Sequence, residues 1–336
     1  MPSPTAWRSR KANGNPSTAA GCAACSTAIR GAAAGSDAVA AVEVNGLKIE
    51  YESLGKPSDP PIVLIMGLGM QLVAWPEAFC QGLVERGFRV IRFDNRDCGL
   101  SGRIHLKKRP NLLLAFASAW LKLPVRAPYT LNEMADDTIG LLDALGIARA
   151  HIVGVSMGGM IAQVVAARFP HRVLSLTSIM SSSGNPKVSR SRPHAMRALL
   201  SKPSDPNDPD QVVEHLIRLF GVIGSPGYPT DQGELRRRIG RGVRRAYHPA
   251  GVLQQLLAII ASGDRRALLE KITAPTLVIH GADDPLVPVA AGRDTAHHIK
   301  GAKLMVIDGM AHDLPPGLLP KLVEAIASHC SQLQTR

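Results

Sequence analysis

The apolar positions of this chain fall into short blocks that switch between two periods. Residues 39–44 and 47–53 alternate apolar and polar side chains, and Asn45-Gly46 between them is a tight-turn sequence, so the chain opens on a β-hairpin. Strand-length stretches rich in apolar side chains follow at 62–66, 88–93, 151–155, 173–180, 276–280 and 303–307, the first of them apolar throughout, the pattern of buried strands. Helical spacing separates them at 76–86, 131–145, 161–168, 289–299 and 316–329. The second of these carries its own punctuation: Thr130 and Glu133 make a capping box, and Gly146 ends the helix. Strand alternating with helix predicts an α/β fold, a mostly parallel sheet flanked by helices.

The rhythm breaks between 184 and 262. Pro203, Pro206, Pro209, Pro226 and Pro229 punctuate amphipathic segments around 211–221, 233–245 and 249–261, which predicts a helical lid inserted over the carboxyl edge of the sheet. Its Arg-rich piece, Arg236 to Arg245, is expected to be the lid's wet face. The resulting organisation is a disordered tail at 1–38, a first core part at 39–183, the lid at 184–262 and a second core part at 263–336. The tail has almost no large apolar side chains to offset the entropy of ordering it. Residues 104–129 are basic at Lys107-Lys108-Arg109 and then apolar from Leu112 to Leu123. A helix packed on the core and a mobile flap over an apolar cleft both fit that pattern.

Composition narrows the function classes. The 336 residues carry a net charge of +12, but the charge is spread: residues 184–262 hold 12 Lys/Arg against 6 Asp/Glu. Aromatic residues are 4%, with no basic run interleaved with them, so base stacking has little to work with and a nucleic-acid partner is not expected. No apolar run approaches the ~18 residues of a spanning helix, so no transmembrane segment is expected. The five cysteines, Cys22, Cys25, Cys80, Cys98 and Cys330, are odd in number and scattered, which argues for a reducing, cytoplasmic setting. Cys22 and Cys25 lack the second pair a zinc site needs, so no metal is expected.

Candidate chemistry collects where predicted strands end. Gly154-Val155-Ser156-Met157-Gly158 fits G-x-S-x-G between a buried strand and a helix, a turn that lifts the Ser156 hydroxyl above the sheet edge. A serine needs a base to take its proton. Of the histidines that follow the 281–288 loop, only His312 lies in a loop just past a strand; His297 and His298 sit on a helix and His329 near the chain's end. The imidazole in turn needs a carboxylate. Asp283 and Asp284 are adjacent, and Pro285 pushes Asp284 towards an extended backbone that aims it differently from its neighbour. Asp313 is too close along the chain to serve His312. Gly67-Leu68-Gly69 after the 62–66 strand lacks the third glycine of a dinucleotide fingerprint. It suits instead a second backbone donor beside Ser156, with the N–H groups of Leu68 and Met157 forming an oxyanion hole. Asp94 and Asp97 read as a polar turn at a strand end.

Four motifs in order, Met66-Gly67-Leu68-Gly69, Gly154-x-Ser156-x-Gly158-Gly159, His280-Gly281-x-x-Asp284-x-x-Val287-Pro288 and Gly309-x-x-His312, resemble the α/β-hydrolase superfamily in its lid-bearing esterase/lipase-like branch. The wording of Arg92-Phe93-Asp94-Asn95-Arg96-Asp97-Cys98-Gly99-Leu100-Ser101, with Gly309-Met310-Ala311-His312-Asp313-Leu314-Pro315, is similar to the aclacinomycin methylesterase-like subgroup. The resemblance implies an eight-stranded sheet, Ser156 as nucleophile, Asp284 as acid, His312 as base, Leu68 and Met157 as oxyanion donors, and no cofactor. Met66 stands where many relatives carry a histidine that braces the oxyanion loop. The expected activity is hydrolysis of carboxylic esters of a hydrophobic small molecule through an acyl-enzyme. C–C bond hydrolysis, acyl transfer and perhydrolysis use the same three side chains, and a non-catalytic ligand-binding protein on this fold is the alternative of a different class.

Overall fold

In a computed structural model of the protein, which describes residues 40–106, 112–121 and 123–332, the predicted hairpin opens the sheet as β1 (Ala40–Val44) and β2 (Leu47–Leu54). Asn45 and Gly46 turn it with positive φ, as the sequence requires. The apolar runs become β3 (Pro61–Ile65), β4 (Arg89–Phe93), β5 (Ala150–Val155), β6 (Val173–Ile179), β7 (Thr276–Gly281) and β8 (Lys303–Ile307). These eight strands form one sheet in the order β1-β2-β4-β3-β5-β6-β7-β8, in which β2 alone runs against the others. The strand order reverses direction at β3, so the carboxyl ends of β3 and β5 flank a crevice of the kind where α/β sheets bind ligands.

Both sheet faces are covered, which is why the inner strands are mostly apolar and are buried at nearly every position. Along β3, Val63 and Ile65 enter one core with α3 (Leu131–Ala144) and α4 (Met157–Arg168), while Ile62 and Leu64 enter the other with α1 (Glu77–Val84) and α11 (Leu319–Ser331). α3 starts on the predicted capping box: Thr130 accepts from Asn132 N–H, and Glu133 accepts from Thr130 N–H at 2.7 Å. α2 (Leu112–Trp120) follows the segment at 107–111, and α10 (Val289–His297) lies between β7 and β8.

Between β6 and β7 the chain forms α5 (Pro193–Leu200), α6 (Pro209–Ile223), α7 (Gln232–Arg245), α8 (Pro249–Ser262) and the short α9 (Arg266–Leu269). Three were expected from amphipathic spacing. α5 was not, because eight residues between prolines and basic side chains carry too short a period. The arginine-rich helix also departs in part from expectation. Arg236, Arg237, Arg241 and Arg244 are exposed, Arg241 also reaching Val73 C=O at 2.7 Å, but Arg245 donates to the fully buried Asp94 at 2.6 Å and Arg238 to Leu314 C=O at 3.3 Å. α7 therefore presents most of its arginines to solvent, as expected, and turns Arg238 and Arg245 inward as hydrogen-bond donors. The tail at 1–38, with Cys22 and Cys25, and Lys107-Lys108-Arg109 lie outside the described residues.

Buried histidines make the fold acid-sensitive. His151 on β5 is buried, with Nδ1 at 2.8 Å from Ser175 Oγ and its ring edge-on to Phe88. Burial, then the like charges of His329 and Arg149, push its pKa down from 6.5 to about 4. The unfolded chain therefore takes up a proton that the folded chain refuses, so this contribution is complete above pH 6.5 and is lost as pH falls towards 4. At about pH 5 the loss from His151 alone is roughly 2 kcal/mol. Burial shifts His280 and His329 in the same direction. Urea unfolding midpoints should fall from neutral pH to pH about 5, and His151→Leu should flatten that slope. A pH-independent midpoint over this range contradicts the assignment.

Candidate active site

Ser156 sits between β5 and α4 at φ 54°, ψ −121°, a conformation that costs a non-glycine residue about 1–3 kcal/mol. The surroundings hold it there. Its N–H donates to Ile179 C=O at 2.9 Å on the neighbouring strand, and its C=O accepts from the Ser181 hydroxyl at 2.7 Å. The two flanking glycines are demanded by contact. A Cβ on Gly154 would lie 2.1 Å from Gly158 O, and one on Gly158 would lie 2.0 Å from Ile65 O, so no side chain fits where strand, turn and helix cross.

His312 follows β8. Its Nε2 lies 2.9 Å from Ser156 Oγ, and its Nδ1 lies 2.7 Å from Asp284 Oδ2. Asp284 follows β7 and is buried; its other oxygen accepts from the N–H groups of Leu286 (2.9 Å) and Val287 (2.8 Å), which aims the carboxylate at the imidazole. Behind it, His280 Nε2 lies 2.7 Å from Val287 C=O and 3.7 Å from Asp284 Oδ2, and burial lowers the His280 pKa. The neighbouring carboxylates do other work. Asp283 accepts from Gly309 N–H at 2.9 Å, and Asp313 accepts from Ser225 N–H at 3.0 Å. His297 and His298 lie at the end of α10 and His329 on α11, as their helical positions imply.

The loop after β3 passes beside Ser156: a Cβ on Gly67 would lie 3.2 Å from Ser156 Cβ. Among the described residues the Leu68 N–H has no hydrogen-bond acceptor, whereas the next one, Gly69 N–H, is given to Gln255 Oε1 at 2.8 Å. Met157 is the first residue of α4, where N–H groups have no partner inside the helix. Two backbone donors with no helical or loop acceptor thus belong to the residues that directly follow Gly67 and Ser156, where the two turns approach each other.

The loop's brace does not require a histidine at position 66. Asn95 donates to Met66 C=O at 3.0 Å, and Gln255, fully buried on α8, ties Gly69 N–H to Arg96 C=O, the latter at 2.8 Å. Gln71 donates to Gly242 C=O and bonds Arg245, while Asp94 accepts from Leu72 N–H, Leu100 N–H and Arg245. Burial raises the Asp94 pKa against these bonds, with Leu72 N–H the largest of the opposing effects. Asp94 is therefore a structural hub, as a polar turn residue would be. Sequence reasoning missed Gln255 and Arg245. The signal for the former was present: Gln254-Gln255 is a polar pair in the middle of an otherwise apolar helix. The His312 loop is fastened similarly, with His312 N–H on Ile223 C=O at 2.9 Å and Gly227 N–H on Gly309 C=O. Among the described residues no three His, Cys, Asp or Glu side chains cluster as metal ligands.

The geometry and the strand order together define an α/β-hydrolase arrangement, and comparison with known proteins agrees. The chain belongs to the alpha/beta hydrolase fold family, whose profile matches residues 60–315. It is 30% identical over 300 residues to rhodomycin D methylesterase DauP of Streptomyces sp. (strain C5), covering 83% of this chain and 93% of that one. It is 29% identical over 297 residues to rhodomycin D methylesterase DnrP of Streptomyces peucetius, over the same shares. Among solved structures, the enol-lactonase from Burkholderia xenovorans LB400 superposes with a TM-score of 0.62 over 88% of this chain and all of that one, at 24% identity, a likeness of fold. No helix among the described residues is long and apolar enough to cross a membrane.

Proposed function

We propose that this protein is a serine hydrolase that cleaves carboxylic esters of a hydrophobic small molecule through an acyl-enzyme. The observation that carries the reading is the continuous Ser156–His312–Asp284 hydrogen-bond chain, 2.9 and 2.7 Å long, at the carboxyl ends of β5, β8 and β7. In this reading His312 takes the Ser156 proton as Oγ bonds to the ester carbonyl carbon. Asp284 holds the ring so that Nε2 faces the hydroxyl, and stabilises the imidazolium that forms. The N–H groups of Leu68 and Met157 stabilise the oxyanion; each such donor is worth on the order of 3 kcal/mol. The C–O bond to the alcohol then breaks as His312 returns the proton, and water repeats the cycle on the acyl-enzyme. The methylesterase relatives support ester chemistry, with a small alcohol as leaving group.

The helices between β6 and β7 act as the lid in this reading, and they also position the donors. Val252 of α8 packs on Gly69, so an apolar wall stands beside the oxyanion loop and favours an apolar substrate group. The described thiols, Cys80, Cys98 and Cys330, are free and buried, which fits a reducing, cytoplasmic setting.

Gln255 is a positioning residue here. Gln255→Leu leaves Gly69 N–H and Arg96 C=O without their partner, a cost of about 1–3 kcal/mol for the buried Arg96 C=O, and frees the loop that presents Leu68. Catalytic turnover should fall about tenfold to a hundredfold with KM little changed, and affinity for a trifluoromethyl ketone analogue should fall in parallel. Loss of stability with kcat unchanged would make Gln255 purely structural. The reading as a whole is tested with p-nitrophenyl and methyl esters graded by acyl length: turnover is expected to rise with acyl size before steric limits set in. Failure to hydrolyse any member overturns it.

A further inference from the structure

α2 is apolar on every side, the composition of a helix buried all round, yet only one side of it is covered. Ala115 is buried and the helix packs on α8, while Leu113 is 82% exposed, and Leu121 and Leu123 just beyond it are 57% and 56% exposed. Seven of the eleven exposed large apolar side chains among the described residues fall between Leu100 and Leu123. They are concentrated on one stretch of the chain rather than scattered as is normal for a protein surface. The same stretch has a one-signed charge. From 98 to 132 the sequence contains Arg103, Lys107, Lys108, Arg109, Lys122 and Arg126, and neither Asp nor Glu. Arg103 and Arg126 are exposed at the two ends of the segment; the other four lie outside the described residues and count here by sequence alone.

Three coverings fit poorly. A second copy docked patch to patch would set one stretch without Asp or Glu against another of the same charge. The chain's own residues 1–38 hold almost no large apolar side chains with which to fill the patch. Nucleic acid would satisfy the cations but leave the leucines in water. A surface that is anionic outside and hydrocarbon beneath satisfies both, and a helix of nine residues is too short to span it and would lie in its plane. We propose that α2, bracketed in the chain by the exposed Arg103 and Arg126, docks the protein on an anionic phospholipid bilayer. α8 joins this surface to the oxyanion loop through Val252 and Gln255, so a docked molecule has its cleft one helix away from the lipid. The inference stands on the patch and its charge and does not require the catalytic reading.

The test is co-sedimentation of the full chain with sucrose-loaded phosphatidylcholine vesicles, with and without phosphatidylglycerol, read beside Leu113→Asp and Leu121→Asp. Both sites are exposed, and unchanged far-ultraviolet circular dichroism and thermal midpoints verify that the variants fold. The wild-type chain is expected to partition onto the phosphatidylglycerol vesicles, weakly onto phosphatidylcholine alone, and less as salt is raised. Each variant should lose at least about tenfold in partitioning. Equal binding to both vesicle types overturns the proposal, as does no binding to either. Undiminished binding by the aspartate variants overturns it too, because net charge alone would then suffice. Concentration-dependent dimers in sedimentation velocity, abolished by Leu113→Asp in a chain that ignores vesicles, assign the patch to a second copy instead.

Discussion

Replacing Ser156 with alanine is expected to lower ester turnover by about a million-fold and leave the fold intact. The two halves of that expectation have separate causes. The backbone at 156 is held by main-chain groups, its N–H on Ile179 and its C=O under Ser181, and alanine keeps both bonds. Only Oγ is lost, and with it the atom that bonds the acyl carbon. His312 keeps its bond to Asp284, so the rest of the site stays assembled. What remains is catalysis by the oxyanion donors and binding alone, about a thousandfold to ten-thousandfold over water. Hydrolysis of a p-nitrophenyl ester, with a thermal midpoint measured on the same sample, checks both halves. Turnover within tenfold of wild type would remove Ser156 from the mechanism.

Asp284→Asn should cost about ten-thousandfold in kcat for a different reason. The two bonds from Leu286 and Val287 fix one oxygen of the carboxylate, so an amide oxygen will take that place and the NH2 group must then face His312 Nδ1. An NH2 donor there forces the imidazole to accept on Nδ1 and to carry its proton on Nε2, the nitrogen that faces Ser156. The ring then cannot take the serine's proton. Geometry survives while the tautomer is wrong, so binding of substrate, read as KM, should change far less than kcat. A parallel collapse of both would point to a structural role for Asp284. Activity within tenfold of wild type would remove the carboxylate from the reaction.

The strands and the residues at their ends were legible because the signals are local. A buried strand, a small-residue turn and a helix are all within 150–168 of the sequence, and the turn's tolerance for nothing but glycine at 154 and 158 is visible as the G-x-S-x-G spacing itself. Pro285 separated Asp284 from Asp283 by backbone preference, and the structure gives the two carboxylates different partners, His312 and Gly309 N–H. His312 was singled out by position after the last strand. The rest depends on partners far apart in the chain. Gln255 meets Gly69 across 186 residues and Arg245 meets Asp94 across 151. A polar residue on an apolar helix announces that it has a buried partner and does not name it. Six arginines within ten residues of α7 look like one wet face, and only packing against the loops after β3, β4 and β8 separates inward from outward members. The choice left open for 104–129 ends between its two forms: α2 packs on α8 rather than on the sheet, and keeps a bare apolar side.

The most direct measurement of the central claim is mass-spectrometric mapping of the adduct formed by a fluorophosphonate with the wild-type chain. The account predicts a single adduct on the peptide carrying Ser156, formed in step with loss of esterase activity and absent from Ser156→Ala. An esterase-active chain that takes up no adduct at Ser156, or is inactivated by modification elsewhere, contradicts it.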